Sequence, residues 1–327
     1  MRITVVGAGA MGGSYGGLLA AAGHEVDLID IQEDHVAAID ANGMRVEGVC
    51  GEHVVRLPAA TVPAAGARAD AVIVFVDANN TRAAAETVAQ ILTADGFAIT
   101  FQNGIGNVET LAEVLGRERV LAGSSMCSAA SLGPGRVSLT HMGLTSVGET
   151  AGGGSARASA LVQALVGAGL EAEIAPDITA RIWEKFVVNC AGNAIAATTG
   201  LRAGEFLRVP ELDAFQSHVL DEVMAVLNAK NIHLPDPDIV TRIKTGARKK
   251  FNRPSMLQHV TLGRKTEIDA LNGALVRAAA PFAIPVPYNE SLVALLKGRE
   301  LARMREVHEP DLDYDAWEAR IAAGLED

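Results

Sequence analysis

Two residue patterns in this 327-residue chain could do chemistry. The first is Gly7-x-Gly9-x-x-Gly12, which reads in full Gly7-Ala8-Gly9-Ala10-Met11-Gly12. It follows a β-branched run at 2–6 (RITVV) and opens a stretch that can be helical to about residue 22. In that strand–turn–helix setting the first glycine makes the tight turn. The second lets the backbone approach a pyrophosphate, and the third lets helix and strand pack closely. The helix N-terminus then offers free N–H donors and a partial positive charge to the phosphates, so Gly7, Gly9, Ala10, Met11 and Gly12 form a candidate dinucleotide cradle. The plainer reading is a glycine-rich turn without a ligand. Asp30 closes the next expected strand, EVDLI at 25–29. A carboxylate there hydrogen-bonds the ribose hydroxyls of NAD and repels the 2′-phosphate of NADP. No Arg or Lys follows through 30–34, so NAD is expected over NADP. The plainer reading of Asp30 is a solvated acidic turn, or Asp34 as a helix cap.

The second pattern is polar. Lys185, Asn189 and Asn193 are spaced four apart in an otherwise apolar helical stretch, IWEKFVVNCAGN at 182–193. Such spacing puts them on one stripe of a helix. Asn is a poor helix former and costly to bury unpaired. A lysine with two amides facing one way would make a proton donor with two hydrogen-bonding arms. Spacing alone equally allows a solvated face or a hydrogen-bonded seam between domains.

Other candidates are weaker one by one. Gln102-Asn103-Gly104-Ile105-Gly106-Asn107 follows the expected strand 97–101, at a strand's carboxyl end, where open α/β sheets bind ligands. It also reads as an Asn-Gly turn. Ser255-Met256-Leu257-Gln258 opens an expected helix, with a capping box as its plain reading. Glu267 and Asp269 fall inside that expected helix, 256–280, where a solvated face is the default. The eight histidines show no metal-ligand spacing, so no metal is expected.

The elements that must position these residues change character along the chain. The first half alternates strands and helices, with strands expected at 2–6, 25–29, 71–76, 97–101 and 120–126. A small hairpin is expected within 44–57, and a second one from 135–140 and 145–148. Long helical patterns follow at 179–199, 210–230, 236–250, 256–280 and 288–305. The expected architecture is therefore α/β: a Rossmann-type doubly wound sheet over 1–176 and an all-helical domain over 177–327.

Composition narrows the partners. Apolar residues are 49% and charged residues 20%, which excludes disorder as the main state. A formal charge of −11 argues against nucleic acid. A local basic pocket for a small anion remains compatible with it. The run 3–23 carries no charge but holds seven glycines, so it suits a strand, turn and helix rather than a membrane span. No membrane partner and no targeting segment are expected. Cys50, Cys127 and Cys190 are too few and too scattered for a disulfide framework, which points to a reducing, cytoplasmic compartment. Apolar helices in the second half suit a homodimer interface.

Taken together, the motifs resemble the ketopantoate reductase (2-dehydropantoate 2-reductase) family from Gly7 to about Arg305. They match in order and spacing: the GxGxxG turn, the N-G-x-G turn at Asn103, and W-x-K-x-x-x-N-x-x-x-N at Trp183, Lys185, Asn189 and Asn193. S-M-L-Q at Ser255 and T-E-I-D-x-x-N-G from Thr266 to Gly273 complete the set. The resemblance implies a Rossmann domain, a helical domain and a site in the cleft between them. It implies that Lys185 is the general acid that protonates the keto oxygen of a small anionic 2-oxo acid during hydride transfer. Asn103 would hold the nicotinamide and Lys185 in register. Asn189 and Asn193 would contact substrate, and Ser255 would meet its carboxylate. Glu267 would partner the substrate hydroxyl or Lys185. Three positions depart from the family: Asp30-Ile31 where an Arg usually follows the strand, Asp77 for a Lys, and Ala203 for an Asn. The first two remove positive charge and favour NAD. The alternatives are a catabolic NAD-dependent 2-hydroxyacid or sugar-acid dehydrogenase, and a dinucleotide sensor that has lost its chemistry.

Overall fold

The computed structural model describes residues 1–309 and 313–324. The expected second domain runs to residue 327, so 310–312 and 325–327 lie outside the described residues. By contact density the chain forms two compact units. One comprises Met1–Asn189 and Leu227–Ile239, the other Cys190–Val226 and Val240–Asp327.

The first unit holds the α/β part. Its elements are β1 (Arg2–Val6), α1 (Ala10–Ala21), β2 (Glu25–Ile29), α2 (Glu33–Asn42), β3 (Met44–Gly48), β4 (His53–Val55), β5 (Ala59–Ala60) and β6 (Ala69–Val74). They continue with α3 (Thr81–Ile91), β7 (Leu92–Thr100), α4 (Asn107–Leu115), β8 (Val120–Ser125), β9 (Ser128–Gly133) and β10 (Arg136–His141). Then come β11 (Thr145–Glu149), α5 (Ala156–Gly167), β12 (Ala172–Ile174) and α6 (Ile178–Cys190). The main sheet has eight strands in the order β12-β11-β8-β7-β6-β1-β2-β5, parallel except where β11 meets β8. A four-stranded sheet, β4-β3-β10-β9, lies apart from it in hydrogen bonding.

Near-continuous apolar runs explain why these strands are central. Ile3, Val5 and Val6 of β1 and Ala71 to Val74 of β6 are buried on both faces, as parallel strands covered by helices must be. One face packs Tyr15, Leu18 and Leu19 of α1 and Leu161 and Leu165 of α5, together with Met44, Val46, Val137 and Leu139 of the smaller sheet. The other face packs Ala85, Val88 and Ile91 of α3 and Leu111 and Leu115 of α4. Helices on both faces make the sheet doubly wound, as the alternating pattern implied. The chain leaves β1 toward β2 and returns on its other side at β6, so the strand order reverses between β1 and β6. Ligands of open α/β sheets bind at the carboxyl ends beside such a reversal.

One expected pairing is corrected. The segments 135–140 and 145–148 do not form a hairpin. β10 pairs with β3 and β9, whereas β11 pairs with β8 and β12. Thr145 to Gly148 are all buried, which requires the covered main sheet rather than the smaller one.

The second unit is helical, with no strand among its described residues. It contains α7 (Asn193–Thr199), α8 (Ala203–Phe206), α9 (Pro210–Ala229, whose last turn falls in the first unit), α10 (Ile239–Ala247) and α11 (Ser255–Thr261). It ends with α12 (Asn272–Ala279), α13 (Pro287–His308) and α14 (Tyr314–Ala322). Helix α13 buries Asn289, Leu292, Leu296 and Glu300, a stripe at helical spacing. Its two polar members are satisfied. The Glu222 carboxylate accepts from the backbone N–H groups of Tyr288 (2.9 Å) and Asn289 (3.0 Å), capping the helix start. Glu300 accepts from the Thr266 N–H at 2.6 Å. No helix among the described residues is long and apolar enough to cross a membrane.

Two expected helices are interrupted. The stretch 179–199 breaks at Ala191-Gly192 into α6 and α7. The Ala191 carbonyl, left without a helical partner, accepts from the Gln216 side chain at 2.9 Å. The stretch 256–280 breaks into α11 and α12. The chain turns at Gly263, which takes φ +64°, a left-handed conformation that suits glycine.

Candidate active site

The glycine-rich turn is shaped by close backbone contacts. Gly7 has φ +92°, and a Cβ there would lie 2.6 Å from the Val76 nitrogen, just past β6. A Cβ on Gly12 would lie 1.8 Å from the Gly7 carbonyl oxygen. Both positions therefore demand glycine. Gly9 differs: a Cβ there would meet no heavy atom within 4 Å. It caps α1 without a side chain, its carbonyl accepting from the Gly13 N–H at 2.7 Å. The turn is thus closed on its sheet side and open at Gly9. An open side at a helix N-terminus fits a pyrophosphate.

Asp30 follows β2 and is buried, with Oδ1 accepting from the Gln32 N–H at 3.0 Å. Asp34 does not cap α2; Gln32 occupies that position. Ile31 beside Asp30 is 82% exposed. Asp77 ends the loop after β6 and accepts from the Asn79 backbone (3.1 Å) and side chain (2.7 Å), closing the 78–80 turn.

The loop after β7 is held by a side-chain network. The Gln102 amide donates to the Val76 carbonyl (2.8 Å) and the Thr81 hydroxyl (2.9 Å). Thr81 donates to Asn107 Oδ1 (2.9 Å), and Asn107 Nδ2 donates to the Asn103 carbonyl (2.8 Å). Gly104 and Gly106 take φ +87° and +97°, which lets the loop turn sharply into α4. Asn103 is thereby fixed at the carboxyl end of β7, on the same sheet edge as the 7–12 turn.

Helix α6 carries Lys185 and Asn189. Asp177 Oδ1 accepts from the Ala180 N–H at 3.0 Å at the start of the helix. Trp183, Phe186 and Val187 bury its inner face. Asn189 Nδ2 donates to Asn103 Oδ1 at 3.5 Å. Lys185 lies one helical turn before Asn189 on the same face. Two sequence-expected residues, Asn103 and Asn189, are therefore in direct contact, with Lys185 adjacent along the helix.

Asn193 does not continue that stripe. It begins α7 after the break at Gly192 and belongs to the second unit. In that unit Ser255 is the first residue of α11, which has Pro254 at its cap position and no side-chain cap bond, so the S-x-x-Q capping box does not form. Glu267 is not on a helix. It lies buried in the connection between α11 and α12, beside Thr266, whose N–H is taken by Glu300. Asn272, at the end of the same connection, donates to Asn289 at 2.8 Å.

Of the supporting residues, Gln102 and Asn107 fall within the 102–107 motif, whereas Thr81 was not singled out in the sequence. Neither was Tyr15, whose buried hydroxyl shares hydrogen bonds with Ser125 (2.7 Å) and Thr145 (2.5 Å). Burial pushes the Tyr15 hydroxyl pKa well above its usual value, so it stays protonated. A lone Tyr in a Gly-Ala helix was the available signal. No group of three or more metal-ligating side chains occurs among the described residues.

This chain matches the description "Ketopantoate reductase PanE/ApbA" over residues 3–152 and its C-terminal counterpart over residues 177–300. The chain belongs to the ketopantoate reductase family. The 2-dehydropantoate 2-reductase of Halobacterium salinarum is 31% identical over 91% of this chain and 98% of its own length. That of Archaeoglobus fulgidus is 32% identical over the same shares. Among solved structures, the PanE/ApbA family ketopantoate reductase from Ralstonia eutropha JMP134 superposes with a TM-score of 0.86 at 33% identity, covering 93% of this chain and 99% of that one. A D-mandelate dehydrogenase solved with NADH and anilino(oxo)acetate gives 0.84 at 26% identity, over 93% and 99%. The chain is an NAD(P)-dependent oxidoreductase acting on CH–OH groups, with the ketopantoate reductase fold.

Proposed function

We propose that this chain reduces ketopantoate or a closely related small anionic 2-oxo acid, using NADH, with Lys185 as general acid. The observation that carries the reading is the Asn189–Asn103 hydrogen bond, which ties the lysine's helix to the loop after β7. Gly7, Gly9, Ala10, Met11 and Gly12 would hold the pyrophosphate and Asp30 the adenosine ribose. When bound, the nicotinamide supplies the hydride. Lys185 gives its proton to the keto oxygen, and its ammonium stabilises the negative charge that develops there. Asn103 and Asn189 orient the reacting groups. Asn193 and Ser255 contact the substrate, Ser255 at its carboxylate, and Glu267 partners the hydroxyl or Lys185. On this reading residues 1–176 serve the dinucleotide and 177–327 serve substrate and dimerisation.

Buried Asp30 beside exposed Ile31 supports NADH. A 2′-phosphate there would face a carboxylate and an aliphatic side chain, with no cation in 30–34. The same feature, together with the NADH-bound D-mandelate dehydrogenase neighbour, favours a second reading: a catabolic 2-hydroxyacid dehydrogenase run in the oxidative direction. The three free cysteines suit a cytoplasmic protein. Leu295 and Leu301 of α13, 59% and 51% exposed, flank Gly298 and would suit a homodimer contact.

The test is loss of reduced-nicotinamide absorbance with ketopantoate, run with NADH and NADPH in parallel. Faster turnover with NADH is expected. Turnover with NADPH alone would overturn the cofactor assignment. Oxidation of 2-hydroxy acids by NAD without reduction of ketopantoate would select the second reading.

A further inference from the structure

Beneath the glycine-rich turn lies a buried histidine that the chemistry above does not use. His35 is in the first turn of α2 and is 7% exposed. The Gly135 N–H donates to its Nδ1 at 3.1 Å. That nitrogen is therefore the acceptor, and the ring proton sits on Nε2. Nε2 lies 2.9 Å from the Ala8 carbonyl oxygen and donates to it. Gly135 is itself held, its carbonyl accepting from the Arg45 N–H of β3 at 2.9 Å. The imidazole thus braces Ala8 against the smaller sheet.

Ala8 is the residue whose orientation matters. The peptide units on either side have other restraints. The Gly7 N–H is bonded to Ile29 of β2 at 2.8 Å, and the Gly9 carbonyl starts α1. The unit between Ala8 and Gly9 belongs to neither strand nor helix. No peptide bond among the described residues is cis. In a planar trans peptide the C=O and the following N–H point in opposite directions. Fixing the Ala8 carbonyl on His35 therefore aims the Gly9 N–H the other way.

We propose that His35 is a positioning residue for dinucleotide binding: it orients the Ala8–Gly9 peptide so that the Gly9 N–H is ready for the pyrophosphate. The proposal rests on the reading of 7–12 as the dinucleotide cradle. It also joins two ends of the cofactor site. The stretch from the end of β2 into the first turn of α2 supplies both Asp30 for the ribose and His35 for the turn beneath the phosphates.

Paired amide variants test it. In His35→Gln the side-chain NH2 can reach the place of Nε2 and keep the bond to Ala8. In His35→Asn the shorter amide can replace only Nδ1 and keep the bond to Gly135. NADH and ADP affinities are measured for both, with kcat, substrate KM and melting temperature. The Gln variant is expected to bind NADH within about threefold of wild type. The Asn variant is expected to lose about tenfold, the effect of one hydrogen bond, for NADH and ADP alike. Substrate KM and kcat at saturating NADH should not move. Equal affinities in the two variants would overturn the proposal. A wild-type chain that binds neither NADH nor NADPH would overturn the cradle reading and this proposal with it. Should neither variant fold, 15N spectra of wild-type His35 decide: the Nε2–H tautomer supports the assignment, and the Nδ1–H tautomer refutes it.

Discussion

The glycine-rich turn and the Lys185 segment hold two halves of one proposed chemistry, but they are built differently. The turn is a backbone site. Gly7 and Gly12 leave no room for a Cβ, Gly12 against the turn's own carbonyl and Gly7 against the backbone at Val76, so glycine spacing marks its shape. The Lys185 segment is a side-chain site. Its lysine and first asparagine share one helix, and its second asparagine starts another after the break at Gly192. Spacing in the sequence predicts the first kind of site because the chain's own geometry enforces it. The second kind depends on where helices stop, and tertiary partners such as Gln216 decide that.

Substitutions in the turn should show the steepest contrast. Gly12→Ala forces its Cβ into the Gly7 carbonyl and should cost more than about 3 kcal/mol of stability or abolish NADH binding. Gly9→Ala keeps an allowed conformation (φ −60°, ψ −159°) in open space, so its melting temperature should hold while NADH affinity falls. Thermal melts paired with NADH titration check both. Equal damage from the two would break the backbone-site account.

In the side-chain site, Asn103→Ala and Asn189→Ala should each lower kcat/KM by about 10-fold or more, from a hydrogen bond lost in the site. The double variant should be less than additive because the two residues touch. Steady-state kinetics on all three proteins measures the coupling, and full additivity would count against a working contact.

Cofactor choice is a smaller effect. Asp30→Ser with Ile31→Arg removes a carboxylate and adds a guanidinium. It should shift the NADPH/NADH ratio of kcat/KM upward by about 10-fold or more, which corresponds to about 1.4 kcal/mol. An unchanged ratio would show that these residues do not face the ribose.

The smallest effect is remote from both sites. Arg157 grips Glu149 through two bonds, 2.8 and 2.7 Å, and its hydrogen bonds hold that carboxyl below its usual pKa. A lowered folded-state pKa adds stability above the unfolded value, lost as pH falls through the folded one. Glu149→Gln should therefore lower stability by about 0.5–1 kcal/mol at pH 7. The difference should begin to narrow below about pH 4.3, where the unfolded carboxyl protonates, and close only as pH falls through the lower folded-state value. Denaturant melts at both pH values test this.

Much of the fold was legible because buried parallel strands are written as apolar runs, unbroken at 71–76 (AVIVFV) and nearly so at 2–6. The strand β9, SAASLG at 128–133, was not, because it lacks β-branched and aromatic residues. The breaks at Gly192 and Gly263 were missed because each glycine sits inside a pattern that otherwise continues as helix. Those breaks move Asn193 off the Lys185 stripe and take Glu267 off a helix altogether. The Gly7–Gly12 turn, Asp30, Asn103, Lys185 and Asn189 could be named as candidates from motif and spacing. The bonds that tie Thr81 to Gln102 and Asn107 could not, since they join two segments 21 and 26 residues apart in the chain.

Lys185 carries the central claim, and chemical rescue tests it most directly. Lys185→Ala is assayed for NADH-dependent reduction of ketopantoate with and without added ethylamine. The account predicts a fall in kcat of about 10²–10⁴-fold, the range of a lost general acid. NADH affinity should be intact, and the added amine should restore part of the rate in proportion to its protonated form. A variant that keeps the wild-type rate would contradict the account.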